Sequence, residues 1–275
     1  MPRLWDDSLY AGSAVFYLQG RLPYPTRLAD AFRARLDLDG AGRLLDLGCG
    51  PGSLTLLLAP FFAEVVAVDA DLDMIRVGVG EAARRGIRNV KWLHCSAEDL
   101  EDVGRFEVVT LAQSFHWMDR PAVAGKIHGL LEPAGHCVHV GATTHEGTGS
   151  SGASPLPTVP RESITHLIRQ YLGPERRAGR GIVAGGYTPD EQDVIFREAG
   201  FTGPEIVPVA GGDVFERSQD QVVASVLSLS GAAPHLFGDR LPAFTDELRE
   251  LLRKASPSGV FSEQLQDMRL FLWSA

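Results

Sequence analysis

Leu44-Leu-Asp-Leu-Gly-Cys-Gly-Pro-Gly52 (LLDLGCGPG) is the stretch whose reading decides the fold. Its first half belongs to a short apolar run, Arg43–Leu47, of the length and character of a buried strand. Its second half sets glycines at 48, 50 and 52 directly behind that strand. There the backbone can turn sharply, and a ligand can approach where any Cβ would clash. A routine connection needs neither three glycines nor the proline at 51. The carboxyl end of a strand is where open α/β sheets bind their ligands.

Working outward, Leu54–Phe62 reads as a helix and Glu64–Asp69 (EVVAVD) as a β-branched strand. Leu72, Ile75, Val79 and Ala82 share one face at helical spacing, closed by Gly86. Val90–Cys95, Phe106–Ala112 and His136–Gly141 are further strand candidates, with a helix from about Arg120 to Leu131 between the last two. Strands alternating with helices imply an α/β protein with a parallel sheet covered on both faces. Residues 142–187 break that rhythm: GATTHEGTGSSGASPLPTVP has the composition of a linker or loop. Ile164, Leu167, Ile168 and Tyr171 then mark an amphipathic helix ended by Gly173-Pro174. Thr188-Pro189-Asp190-Glu191 opens another helix with a capping box, closed by Gly200. Ile206–Val209 reads as a strand, Gln219–Leu229 and Ala243–Lys254 as helices, and Met268–Trp273 as a returning strand. Phe244, Leu248, Leu251 and Leu252 form the stripe of the second of those helices.

The chain has 26 basic and 35 acidic residues, a net charge of −9. Such a surface repels phosphate backbones, so a nucleic-acid partner is not expected. The basic stretch Arg176, Arg177 and Arg180 reads as a solvated loop. Cys49, Cys95 and Cys137 have no CxxC spacing, as expected of free thiols in a reducing compartment. The first twenty residues carry two early aspartates and no long apolar core, unlike a signal peptide, and no apolar run reaches spanning length. The expectation is a cytoplasmic protein, monomer or homodimer, that acts on a small molecule and binds no membrane.

A dinucleotide loop of the form G-x-G-x-x-G would need glycine where Ser53 stands, and a P-loop would need G-K-[ST]. Asp46, just before the loop, is awkward beside a pyrophosphate but suits a ligand carrying an ammonium and a sulfonium. Asp69, at the end of the second strand, has the reach to accept hydrogen bonds from both hydroxyls of a ribose. The plainer reading of Asp69 is a cap for the helix that follows.

LLDLGCGPG followed by VVAVD is similar to the first two motifs of class I S-adenosylmethionine (SAM)-dependent methyltransferases. H94-C-S-A-E-D-L100 resembles their adenine loop, with Ser96 standing where aspartate is common. F106-E-V-V-T-L-A-Q-S-F-H-W-M-D119 resembles their fourth motif, with Glu107 in place of the more usual aspartate. Q113-S-F-H-W117 and the front segment Y17-L-Q-G-R-L-P-Y-P25 look like the subgroup of trans-aconitate and ubiquinone/menaquinone methyltransferases. The resemblance implies a Rossmann-like, seven-stranded, mostly parallel sheet whose last strand is antiparallel. It implies a SAM site, yielding S-adenosylhomocysteine, at Asp46, Gly48, Cys49, Gly50 and Gly52 of the loop; Asp69, Ala70 and Met74 for the ribose side; Ser96, Ala97 and Glu98 around adenine; and Gln113, Ser114 and Trp117 along the methionine. Tyr17 and Arg21 would lie over it as part of a lid. On this reading residues 1–40 are an N-terminal helical lid, 41–142, 188–210 and 264–275 the SAM-binding core, and 143–187 and 211–263 capping insertions.

Methyl transfer asks the protein mainly for alignment and a dry pocket. His116 is the candidate general base, set against the plainer role of walling the pocket with Trp117. His145 and His235 read as loop residues. His136 and His139, three apart in a strand, point to opposite faces, and no Cys/His cluster calls for a metal. A SAM-binding protein that transfers nothing, or a nicotinamide-dependent oxidoreductase, are the competing readings.

Overall fold

The computed structural model describes residues 9–101, 103–149, 154–174, 177–178, 181–182 and 189–275. Its strands in chain order are β1 (Arg43–Leu47), β2 (Glu64–Asp69), β3 (Val90–His94), β4 (Phe106–Ala112), β5 (Leu131–Gly141), the two-residue pair β6 (Arg177–Ala178) and β7 (Gly181–Ile182), β8 (Thr202–Val209), β9 (Val214–Ser218), β10 (Val260–Gln264) and β11 (Met268–Ser274). The helices are α1 (Ala14–Gly20), α2 (Thr26–Leu36), α3 (Thr55–Leu58), α4 (Leu72–Arg85), α5 (Arg120–Leu130), α6 (Arg161–Leu172), α7 (Pro189–Glu198), α8 (Gln219–Leu227), α9 (Pro234–Phe237) and α10 (Leu241–Ala255).

Seven strands form one sheet in the order β3-β2-β1-β4-β5-β11-β8. The pairs β1–β2, β1–β4, β2–β3 and β4–β5 are parallel, while β11 runs antiparallel to both β5 and β8. This is the Rossmann-like sheet with an antiparallel last strand that the resemblance implies. The chain order reverses between β1 and β4, so a crevice opens at their carboxyl ends. Alternation along β1 sends Leu44 into one apolar layer with Leu28 and Phe32 of α2, and Leu45 and Leu47 into the other with Val123 and Ile127 of α5. Both faces are covered, which is why the central strands read as unbroken apolar runs.

A third apolar cluster lies outside the sheet and joins α6, α8, α9, α10 and Phe261 of β10. It carries the two-stranded β9–β10 sheet, an antiparallel pair that the helix-and-loop reading of residues 211–263 does not anticipate. VFERS and VFSEQ are short mixed stretches with α8, α9 and α10 between them, so nothing local announces their pairing. The Gly/Ser-rich stretch is tied down as well, since Thr148 bridges to Gln264 and Thr158 to Ser262. These two bridges hold the described part of the Gly/Ser/Thr/Pro-rich stretch, which reads from its composition as a linker or loop, against β10. Helix α4 is also turned from its expected face: Leu72 and Val79 are exposed, and Met74, Ile75, Gly78 and Ala82 are buried. Gly78 sets that face, because a Cβ there would come within 2.6 Å of the Trp92 ring. Strand β5 begins at Leu131, five residues before the expected His136, and Ala134 within it has φ 67°. Thr188 of the capping box, and Arg176 and Arg180 of the basic stretch, lie outside the described residues. Among the described residues no helix is long and apolar enough to cross a membrane.

Candidate functional site

The glycine loop returns on the end of β2: Gly48 and Cys49 donate their backbone N–H groups to Val68 O at 2.8 and 3.0 Å. Its three glycines all have positive φ, 66°, 55° and 80°, a region that side-chain-bearing residues rarely adopt. They serve different neighbours. A Cβ on Gly48 would sit 2.4 Å from Ser114 Cβ, and one on Gly52 would sit 2.6 Å from Trp92 Cη2. A Cβ on Gly50 would meet nothing within 4 Å. Gly48 and Gly52 therefore let protein pack on protein, whereas Gly50 faces open space.

That space is a cavity of about 570 Å³ at the carboxyl edge of the sheet. Fourteen of the residues expected from the sequence line it: Tyr17, Arg21, Asp46, Gly48, Cys49, Gly50, Asp69, Ala70, Ser96, Ala97, Glu98, Gln113, Ser114 and Trp117. Gly52, Met74 and His116 do not. Gly52 opens on a neighbouring groove beside Leu56 and Arg84. Met74 is buried in the inward face of α4. His116 is exposed at the sheet's end, its ring 4.8 Å from that of Trp117. The single-turn helix Phe115–Trp117 turns Trp117 to the cavity and its neighbour away from it.

Asp46 is 1% exposed, and its two oxygens accept from Thr55 Oγ1 at 2.5 Å and Thr110 Oγ1 at 2.8 Å. Burial raises its pKa, and the threonine hydroxyls work against that rise. The Asp69 carboxylate is held in place by two backbone donors, Gly50 N to Oδ2 at 2.7 Å and Asp71 N to Oδ1 at 2.8 Å. Burial pushes its pKa up to about 6 against those two bonds. The cap of α4 is Asp71, whose side chain accepts from Asp73 N and Met74 N, so Asp69 is released from the capping role. Ser96 donates to Asp99 Oδ2 at 2.7 Å and spends its hydroxyl on its own loop. Glu98 Oε1 accepts from Asp119 N at 2.6 Å, joining the loop after β3 to the start of α5. Ser114 Oγ donates to Leu47 O at 2.6 Å and pins the end of β4 to the end of β1. Gln113 has φ 58° without being glycine, a strained conformation held here by the Nε2 bond to Val140 O at 3.1 Å.

The N-terminal segment closes the cavity. Arg21 Nε donates to Ser228 Oγ at 2.9 Å and Nη2 to Ser228 O at 2.8 Å, with the guanidinium 4.5 Å over the Tyr17 ring. Helix α1 packs on α8 so closely that a Cβ on Gly20 would lie 2.5 Å from Ala224 and Ser225 backbone atoms. Tyr10, Leu22, Tyr24, Cys95, Asp99, Asp119 and Thr144 also line the cavity and were missed from the sequence. Asp119 ends the quoted QSFHWMD run, a usable signal; Tyr10 and Thr144 reach the site only by long-range folding.

The pKa of His116 is lowered, first by the protein atoms crowded around one side of its partly exposed ring and then by the charge of Arg120. His145 sits 3.7 Å from Glu146, and His235 is within 3.2 Å of Ala11 O; neither lines the cavity. Cys49, Cys95 and Cys137 are free thiols. Among the described residues no group of three His, Cys, Asp or Glu side chains is arranged to hold a metal.

Residues 44–135 match a family model described as a methyltransferase domain. An uncharacterized methyltransferase of Mycobacterium tuberculosis is 34% identical over 146 residues, 52% of this chain and 56% of that protein. A trans-aconitate 2-methyltransferase of Azoarcus is 29% identical over 134 residues, 48% of each. The chain thus spans about half the length of the curated relatives it matches. The crystal structure of the N-methyltransferase NodS from Bradyrhizobium japonicum, solved with S-adenosylhomocysteine, superposes with a TM-score of 0.52 at 14% identity and covers 98% of both chains. That likeness is one of fold.

Proposed function

We propose that this chain, which carries a methyltransferase domain over residues 44–135, binds SAM along the carboxyl edge of β1 to β4 and methylates a small molecule. The observation that carries the reading is the pairing of Gly50 with Asp69. One residue leaves open space where a side chain would stand, and its N–H fixes a buried carboxylate beside that space. A carboxylate so oriented keeps lone pairs for the two hydroxyls of a ribose. Ala97, 5% exposed, offers a flat apolar surface for a purine, and Asp46 and Arg21 supply opposite charges for an amino-acid end.

SAM held there would supply an electrophilic methyl group to a nucleophilic atom of the acceptor and leave as S-adenosylhomocysteine. The protein's part is alignment and exclusion of water. Gln113 and Ser114 fix the end of β4, and the cap of α1, α8 and residue 144 closes above it. The residues outside the sheet, 9–40 with 211–263 and the described part of 143–187, form the enclosure of the acceptor on this reading. No described histidine lines the cavity, so the reading assigns His116 no proton transfer. Calorimetric titration with S-adenosylhomocysteine tests the proposal: micromolar binding supports it, and no binding to the folded protein defeats it.

A further inference from the structure

Resting on that reading of the site, we propose that the methyl acceptor is a flat, uncharged aromatic molecule and not a carboxylate. Aromatic side chains wall the cavity opposite the strand ends. Tyr10, Tyr17 and Tyr24 converge on it from the N-terminal segment, and Trp117 from the end of β4. The Tyr10 and Trp117 rings meet edge to face, 5.8 Å apart at 77°, and make one continuous aromatic wall. Tyr10 lies beside Ser230, and Tyr24 lies within electrostatic reach of Tyr17, Asp46 and Arg21. Rigid aromatic side chains present broad apolar area with a polar tip, at small entropic cost.

The charges point the same way. Asp46, Asp69, Glu98, Asp99 and Asp119 line the cavity, and Arg21 is the one cation among the described lining residues. Two Arg21 donors are already engaged by Ser228, and its guanidinium stacks on Tyr17. An acceptor carrying carboxylates would enter a negative field with no free cation cluster to receive it. An alkylamine would be held by the same acids as its ammonium, which has no lone pair to attack with. A neutral ring bearing a hydroxyl or a weakly basic nitrogen escapes both penalties. It is drawn in by aromatic packing.

The test uses the full chain saturated with S-adenosylhomocysteine, after binding of that ligand has itself been measured. Titration with 2-naphthol and with citrate should show binding of the first and at least a hundredfold weaker binding of the second, as about 3 kcal/mol of repulsion would give. Tyr10→Leu, which keeps apolar bulk but loses the ring, should weaken 2-naphthol about tenfold while leaving the thermal midpoint and the S-adenosylhomocysteine affinity within twofold. Tyr24→Lys should narrow the gap by improving citrate. Citrate binding as tightly as 2-naphthol, or no 2-naphthol binding to protein that holds S-adenosylhomocysteine, overturns the acceptor class and leaves the cofactor reading standing. Failure of S-adenosylhomocysteine itself to bind removes the function reading, and this inference with it.

Discussion

The sheet edge and the cap above it are built on opposite principles. At the edge, the lining residues follow the ends of strands, and four of them are fixed by a bond to a neighbouring strand end: Gly48 and Cys49 to Val68, Ser114 to Leu47, Cys95 to Asp69. In the cap, the same cavity is bounded by residues brought from far apart. Arg21 reaches Ser228, Leu22 N donates to Thr144 O, and Arg217 Nη2 donates to Gly20 O. Beneath them Arg161 is paired with Glu263 at 2.5 Å, with Glu263 only 2% exposed. The edge is specified by short-range backbone geometry that a motif can carry. The cap depends on packing between segments one to two hundred positions apart, and that packing is free to differ where the edge cannot.

The comparison breaks most readily at its apolar base. Phe244, fully buried and 4.1 Å from Phe237 ring to ring, holds α10 to α9. Phe244→Ala should cost about 3–5 kcal/mol in urea unfolding. If the edge is self-sufficient, S-adenosylhomocysteine affinity in the protein that remains folded should fall by much less than that energy. Asp69→Asn tests the edge directly. It exchanges an acceptor for a donor beside two backbone N–H groups and should weaken S-adenosylhomocysteine about 10- to 100-fold by calorimetry, with 2-naphthol affinity for the loaded protein little changed.

A pH titration sharpens the same point. Asp69 holds its proton up to about 6, above its ordinary 3.8, so cofactor affinity should be level above pH 7 and fall toward tenfold per unit below pH 6. The fold binds that proton more tightly than the unfolded chain does. Asp69 therefore favours folding at acid pH and loses that contribution as pH rises from about 4 through 6. The loss of affinity on acidification is thus not unfolding driven by this group, and thermal midpoints over the same range should separate the two. The smallest effect is assigned to His116→Ala, outside the cavity, which should change turnover of labelled SAM less than twofold.

The same contrast explains what was legible in the sequence. The strands β1, β2 and β4 match their apolar runs to the residue, because burial on both faces leaves a pattern that no helix surface shares. The lining residues at strand ends followed from those strands. Met74 and the stripe of α4 were misplaced because the face is set by Gly78 against Trp92, an absence of side chain that no hydrophobic period records. His116 and Trp117 are neighbours in sequence, and only the 3₁₀ turn decides which of them enters the cavity. Gly52 carries the same motif role in sequence as Gly50, yet faces Trp92 instead of open space. The pairing of β9 with β10, and the convergence of Tyr10, Tyr24 and Thr144, rest on contacts made only after the chain has folded back on itself.

The most direct test of the account is a pair of calorimetric titrations with S-adenosylhomocysteine, on the unaltered chain and on Gly50→Ala. The added methyl meets no protein atom and projects into the space assigned to the cofactor. The account predicts micromolar binding to the first, and at least tenfold weaker binding to the second with a thermal midpoint lowered only by the strain of one positive-φ residue, about 1 kcal/mol. Undiminished binding to Gly50→Ala, or no binding to either, would contradict it.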